Sequence, residues 1–114
     1  FRVLIAGRAN AGKTSILQRV CETTESPEIH RIKVVDGKET REKRGQHTVS
    51  DELIFANHTG YVFHDSCGFE SGSTDELQRV QAFVGDRSQR KRLEQRLHAI
   101  WFELFYHWIL YLVL

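Results

Sequence analysis

From position 7 to position 14 the chain reads Gly-Arg-Ala-Asn-Ala-Gly-Lys-Thr, which satisfies G-x-x-x-x-G-K-[ST] at every fixed position. The chemistry open to these residue types at this spacing is the capture of a polyphosphate. A tightly turning backbone aims several N–H groups into a small volume, and the amides opening a following helix add to them. Gly7 and Gly12 permit the turn and carry no Cβ to hold a phosphate away. The Lys13 ammonium can reach back to the outer phosphates, and the Thr14 hydroxyl can take one corner of an octahedral Mg²⁺. The candidate phosphate-binding residues are therefore Gly7, Asn10, Ala11, Gly12, Lys13, Thr14 and Ser15.

Phosphate capture alone neither switches nor hydrolyses. Both require a second strand that delivers a carboxylate toward the magnesium. Asp65 ends the β-rich stretch Tyr61-Val62-Phe63-His64-Asp65, and Gly68 three residues later completes D-x-x-G. The glycine amide of that pattern can meet a γ-phosphate, and the segment after it can move when the phosphate leaves. Asp65 and Thr14 are the candidate Mg²⁺ ligands.

These groups have to be positioned by a strand, a helix and a returning hairpin. Val3-Leu4-Ile5-Ala6 is a short continuous apolar run ending at Gly7, which suits a strand buried on both faces of a parallel sheet. Lys13 to Cys21 places Ile16, Leu17, Val20 and Cys21 on one helical stripe. Glu22 to Gln46 holds twelve charged residues among twenty-five and reads as a long solvated loop. Leu53 to Ala56 and Tyr61 to Phe63 flank a polar four-residue connection and read as a hairpin. Ser73 with Glu76 matches a capping box, followed by Leu77, Val80, Phe83 and Val84 at helical spacing until Gly85 interrupts. Arg87 to Leu97 reads as a second helical stretch whose basic residues Arg87, Arg90, Lys91, Arg92 and Arg96 form a solvated face.

The order of phosphate loop, polar loop, β-hairpin, D-x-x-G and helix resembles the front half of a translation-factor-type small GTPase domain. More narrowly, GRANAGKTSILQRVC, RGQHTV, DELIF and FHDSCGFESG resemble a group of fungal G domain-containing proteins, over Phe1 to about Trp101. The resemblance implies an α/β fold, a P-loop NTPase-type three-layer sandwich, truncated after about the fourth strand and followed by a hydrophobic tail. Residues 1–101 would be a partial G domain and residues 102–114 the tail. It implies GTP and Mg²⁺ as ligands and a molecular switch with slow GTP hydrolysis. In such domains a threonine between loop and hairpin closes over the γ-phosphate and the metal. Thr48 is the candidate here, as catalytic residue beside Lys13 and as metal ligand, with Thr40 as the alternative; Arg41, Lys43 and Arg44 are solvated loop charges or neutralise phosphate.

Two departures from that pattern carry consequences. Where many small GTPases have glutamine after the D-x-x-G glycine, this chain has Phe69, which can neither donate to nor accept from an attacking water. Intrinsic turnover is expected to be slow, and a module that holds nucleotide without turnover is the alternative. No N-K-x-D occurs in the chain, so guanine enters through the resemblance and ATP is the other purine triphosphate in play.

At 114 residues the chain has room for one small domain. Lys plus Arg exceed Asp plus Glu by 16 − 15 = 1, which gives no field for gripping a nucleic-acid backbone, and no nucleic-acid partner is expected. Cys21 and Cys67 have neither disulfide-framework nor zinc spacing, so a reducing, cytoplasmic setting is expected. The six histidines show no ligand spacing. Phe1 already lies inside an apolar run, as in a piece cut from a longer chain. Leu97 to Leu114 is eighteen residues, the lower limit for a bilayer span, but Glu103 opposes insertion. The two readings of this end are a weak membrane association and a core strand followed by unrelated apolar sequence.

Overall fold

A computed structural model describes residues 1–7, 12–43, 48–66, 74–104 and 107–113, and of residues 41–43, 74, 76, 104, 107 and 108 it describes the backbone. The first strand, β1 (Arg2–Ala6), is buried along its whole length. Helix α1 (Lys13–Val20) follows, then β2 (Glu28–Val35), β3 (Lys38–Lys43), β4 (Glu52–Phe55), β5 (His58–Asp65), α2 (Thr74–Ser88), β6 (Ala99–Leu104) and β7 (His107–Leu112). The strands make one mixed sheet in the order β3-β2-β4-β5-β1-β6-β7. β1 lies between β5 and β6 and runs parallel to both, while every other neighbouring pair is antiparallel.

The period of two along β1 sorts its side chains between two cores. Val3 and Ile5 pack with Leu17 and Cys21 of the α1 region and with Leu53, Phe55, Phe63 and Ala99. Leu4 packs on the other face with Val80 and Phe83 of α2, Val49 and Leu97. A helix thus covers each face of the central strands, which is why Val3-Leu4-Ile5-Ala6 is apolar without alternation. Each fully buried Leu, Ile or Phe among them contributes about 1.5–3 kcal/mol. Asn57, between β4 and β5, donates from Nδ2 to the Cys21 carbonyl at 2.9 Å and so ties the hairpin tip to the end of α1.

Several expectations change. The stretch read as a long solvated loop contains the β2–β3 hairpin, in which Val35 pairs with Lys38 across Asp36-Gly37. Both turn residues have positive φ, 52° and 76°, the requirement of a two-residue hairpin turn whose twist matches the strands. The edge strand β3 has no apolar residue in its sequence, which suits an edge that must not recruit another chain, whereas β2, paired on both sides, has four apolar residues in eight. The four-residue connection read between Ala56 and Tyr61 is shorter, since β5 already begins at His58. Helix α2 runs through Gly85 to Ser88, and only a 3₁₀ turn, Leu93–Gln95, follows it. The supposed basic helix is therefore divided, and Arg87 is not solvated but buried, with its guanidinium 5.7 Å from the Phe83 ring centre.

The described residues hold seven strands where about four were expected. Two of the additional strands are β2 and β3, and the third comes from the apolar C-terminal run. That run is divided between the end of β6 and β7, paired antiparallel from Ala99–Leu112 to Leu104–His107. Leu110, Tyr111 and Leu112 of the edge strand β7 are exposed. Among the described residues no helix is long and apolar enough to cross a membrane.

Candidate functional site

The parallel strands β1 and β5 end together, with Ile5 level with Asp65. Helix α1 begins just beyond that edge. Its N-cap, Gly12, sits at φ 82° and ψ 25°, and its carbonyl accepts the Ile16 amide at 3.0 Å. Among the described residues a Cβ at Gly12 would meet nothing within 4 Å, and it is the left-handed torsion that calls for glycine there. Among the described residues no side chain caps the helix, and its first turn holds no acidic residue. Its opening amides have no intrahelical acceptors, and the positive end of its dipole faces the strand ends.

Lys13 turns inward from this turn. Its Nζ lies 2.9 Å from Asp65 Oδ1, and the two side chains are 9% and 13% exposed, so water screens the pair little. Thr14 and Ser15 remain exposed at the helix mouth. Ser66 follows Asp65, continues the ladder by donating its amide to the Ile5 carbonyl at 3.1 Å, and buries its hydroxyl. That Oγ has no hydrogen-bond partner among the described residues. Gly7, Gly12, Lys13, Thr14, Ser15 and Asp65 are thus gathered at one edge of the sheet. Asn10, Ala11, Gly68 and Phe69 lie outside the described residues, as do Arg44 and Cys67.

Thr48 is placed differently from the Lys13–Asp65 pair. It precedes β4 in a turn and lines a cleft of about 510 Å³ between α2 and the β2–β3 hairpin, beside Val49, Arg79, Phe83 and Arg90. Thr40, the alternative, is on β3, with Oγ1 3.4 Å from the Lys33 carbonyl. The Thr48 turn is tightly held. Its amide donates to Asp51 Oδ2 at 2.8 Å, and the Asp51 amide returns to the Thr48 carbonyl at 3.1 Å. Arg31 of β2 grips the same carboxylate with two 3.0 Å bonds. Sequence reasoning passed over Asp51, although Thr48-Val49-Ser50-Asp51 has the S/T-x-x-D spacing of a side-chain-capped turn.

A buried polar cluster lies beside this turn and was likewise not foreseen. Arg2 Nη1 donates to Glu52 Oε2 and to His64 Nε2, both at 2.8 Å, and His64 Nδ1 is 2.9 Å from the Val49 carbonyl. One tautomer serves both bonds, with the proton on Nδ1 and the lone pair on Nε2. Burial first, then the charges of Arg2 and Arg87, lower the His64 pKa to about 3. Burial, Arg2 and Arg90 likewise lower that of Arg87 to about 10.

The His64 shift makes stability depend on pH. Below the ordinary value of 6.5 the unfolded chain takes up a proton that the folded ring refuses, so stability is full above that pH and is lost as pH falls toward about 3. The expected slope from this residue is about 1 kcal/mol per pH unit. Urea midpoints between pH 7 and pH 4 measure it. His64→Gln should flatten the profile relative to wild type, and parallel profiles would refute the assignment.

His98 is satisfied in the same manner, accepting the Arg2 amide at Nδ1, 2.8 Å away, and facing the Leu93 carbonyl through Nε2 at 2.7 Å. Cys21 is buried, and burial pushes its thiol pKa up, which makes it a poor nucleophile. Among the described residues no three His, Cys, Asp or Glu side chains gather as a metal-holding group. A Mg²⁺ bound with a triphosphate does not need one, since it keeps waters and phosphate oxygens and takes only one or two protein oxygens. The Thr14 hydroxyl and the Asp65 carboxylate are oxygen donors of that kind. No family model, curated protein or solved structure matches the chain.

Proposed function

We propose that this chain binds a purine nucleoside triphosphate with Mg²⁺, GTP being the nucleotide, and hydrolyses it slowly as a molecular switch. The observation that carries the reading is the ion pair of Lys13 with Asp65, 2.9 Å apart at the mouth of an uncapped helix. A lysine and an aspartate far apart in the chain meet where β1 and β5 end, the edge at which α/β sheets hold ligands. With a triphosphate bound, the ammonium faces phosphate oxygens and the loop and helix amides supply the remaining donors. Mg²⁺, held through Thr14 and Asp65, would supply charge neutralisation between the outer phosphates.

On this reading the architecture is a P-loop NTPase-type sandwich, with α1 and α2 as its outer layers. GTP over ATP rests on the resemblance of the motifs, and slow turnover on Phe69. The test is displacement of a fluorescent GTP analogue, with unlabelled GTP and ATP as competitors in Mg²⁺. GTP is expected to compete at lower concentration, and equal potency would replace a guanine switch with a general purine site. Single-turnover phosphate release then separates a slow hydrolase from a module that only binds.

A further inference from the structure

We propose that β7 is a self-pairing edge, by which two copies of this chain join their sheets antiparallel about a two-fold axis at Leu110. The contrast between the two edges of the sheet carries this. An edge strand turns alternate backbone N–H and C=O groups away from its neighbour, and proteins that stay apart obstruct such edges with charge, proline or bulges. The β3 edge is obstructed, since Lys38, Glu39, Arg41, Glu42 and Lys43 are all charged. The β7 edge carries none of these devices. No Lys, Arg, Asp, Glu or Pro occurs from Leu104 to Leu114. Pairing with β6 runs without a bulge from Ala99–Leu112 to Leu104–His107, and Val113 continues it by donating its amide to the His98 carbonyl at 2.8 Å.

Apolar side chains are left in water on both faces of the same strand. Leu110 and Leu112 stand opposite Trp101 and Ala99 and so extend the α1 face, whereas Tyr111 stands opposite Ile100 on the α2 face. Leu110, Tyr111 and Leu112 are 53%, 56% and 66% exposed. A partner laid on one face would cover either the two leucines or the tyrosine. A strand added at the edge sets a side chain beside all three and takes up the backbone groups as well.

The strand that fits is a second β7. Identical antiparallel neighbours are related by a two-fold axis normal to the sheet, so the joint is isologous and closes at two chains. That axis keeps each face on its own side, and facing residues share a face, so it passes through a residue and not between two. Residues 107–113 have Leu110 at their centre. With the axis there, Leu110 meets the partner's Leu110, and Ile109 meets the partner's Tyr111, a β-branched residue against an aromatic ring. An uncharged strand can pair in this way without setting like charges opposite each other. Seven residues span about 24 Å by strand rise, which places the joint at the low end of interface size and makes the dimer reversible, half-formed at roughly 10⁻⁵–10⁻⁴ M. None of this depends on the nucleotide reading.

Sedimentation velocity from about 1 µM to about 1 mM measures the association of wild type, Leu110→Lys, Leu110→Glu and an equimolar mixture of these two variants, with circular dichroism as the check on folding. Wild type is expected to pass from monomer to dimer within this range and to form nothing larger. Each charged variant alone sets like charges together on the axis and should weaken the dimer at least about tenfold, while the mixture sets Lys against Glu and should return to within about threefold of wild type. Recovery on mixing also shows that both variants are folded. Leu110→Thr keeps the strand preference without a charge and should weaken the dimer about threefold. Wild type that stays monomeric throughout overturns the proposal and leaves the edge to a different partner. Assemblies larger than a dimer overturn it too, as do a dimer that Leu110→Lys leaves intact and folded charged variants that do not recover on mixing. Should both charged variants lose the fold, undiminished association of Leu110→Thr overturns it.

Discussion

Lys13→Ala is expected to remove triphosphate binding, with a loss of about 10²–10⁴ in affinity. Two effects of one sign add. The ammonium can make two charge-assisted hydrogen bonds to phosphate oxygens, each contributing about 1.5–3 kcal/mol. Its removal also leaves the Asp65 carboxylate without the ammonium that now offsets it at 2.9 Å, so that charge would face an incoming polyanion. Asp65 is mostly shielded from water and Lys13 hardly exposed, so solvent does little to blunt either effect. Alanine, the best helix former, keeps α1 helical, while the Asp65 carboxylate that loses its ammonium lowers stability as well as affinity. Calorimetric titration of Mg·GTP into wild type and Lys13→Ala, with circular dichroism as the check on folding, measures the effect. Retention of wild-type affinity by a folded variant would sink the assignment of the phosphate loop.

The strand and the helix on either side of the Gly7 to Gly12 turn were legible because their signal is local. Gly7, Gly12, Lys13 and Thr14 stand at fixed spacing between an apolar run and an amphipathic stripe, and both of those elements are present within a residue or two of their expected ends. The β4–β5 pair was legible for the same reason, with Asp65 at the end of its second strand. What escaped was non-local or composition-poor. Strand β3 has no apolar residue to announce it, and the hairpin's two cues, the Ile and Val residues of β2 and the Asp36-Gly37 turn, were outweighed by the surrounding charge. Arg87 looked like one of five basic residues on a solvated helix, yet it belongs to α2, where it stands four residues after Phe83 and packs on that ring. Glu103 read as an obstacle to membrane insertion, because its position beside Gly7 exists only once β6 pairs with β1. Thr48 was chosen for lying just ahead of the hairpin, which it does, but sequence order could not say that Asp51 and Arg31 hold its turn beside the α2 cleft.

Loss of the Glu52 carboxylate should cost the fold more than any surface change. Glu52→Ala is expected to destabilise by about 3–5 kcal/mol, a large share of the 5–15 kcal/mol that holds a domain of this kind together. The reason is the charge left behind. Arg2 is 5% exposed on the central strand and gives the same Nη1 to Glu52 and to neutral His64, so without Glu52 its guanidinium faces a second buried arginine, Arg87, and no counter-charge from this cluster. The carboxyl-terminal half of α2 lies within reach of this imbalance, because Phe83 packs on the His64 ring at 4.6 Å between centroids. Removing both charges should be far milder than removing one. Arg2→Met with Glu52→Leu replaces the ion pair by apolar groups of similar volume, and such exchanges are often neutral or stabilising. The double variant is therefore expected to regain most of the loss seen in Glu52→Ala, with the remaining deficit assigned to the bonds Arg2 also donates to the Glu94 carbonyl. Urea midpoints followed by circular dichroism for wild type, Arg2→Met, Glu52→Leu and the double variant close the cycle, with Glu52→Ala measured beside them. Additive losses from the two single changes would mean that Arg2 and Glu52 act independently, and that the cluster is held by packing alone.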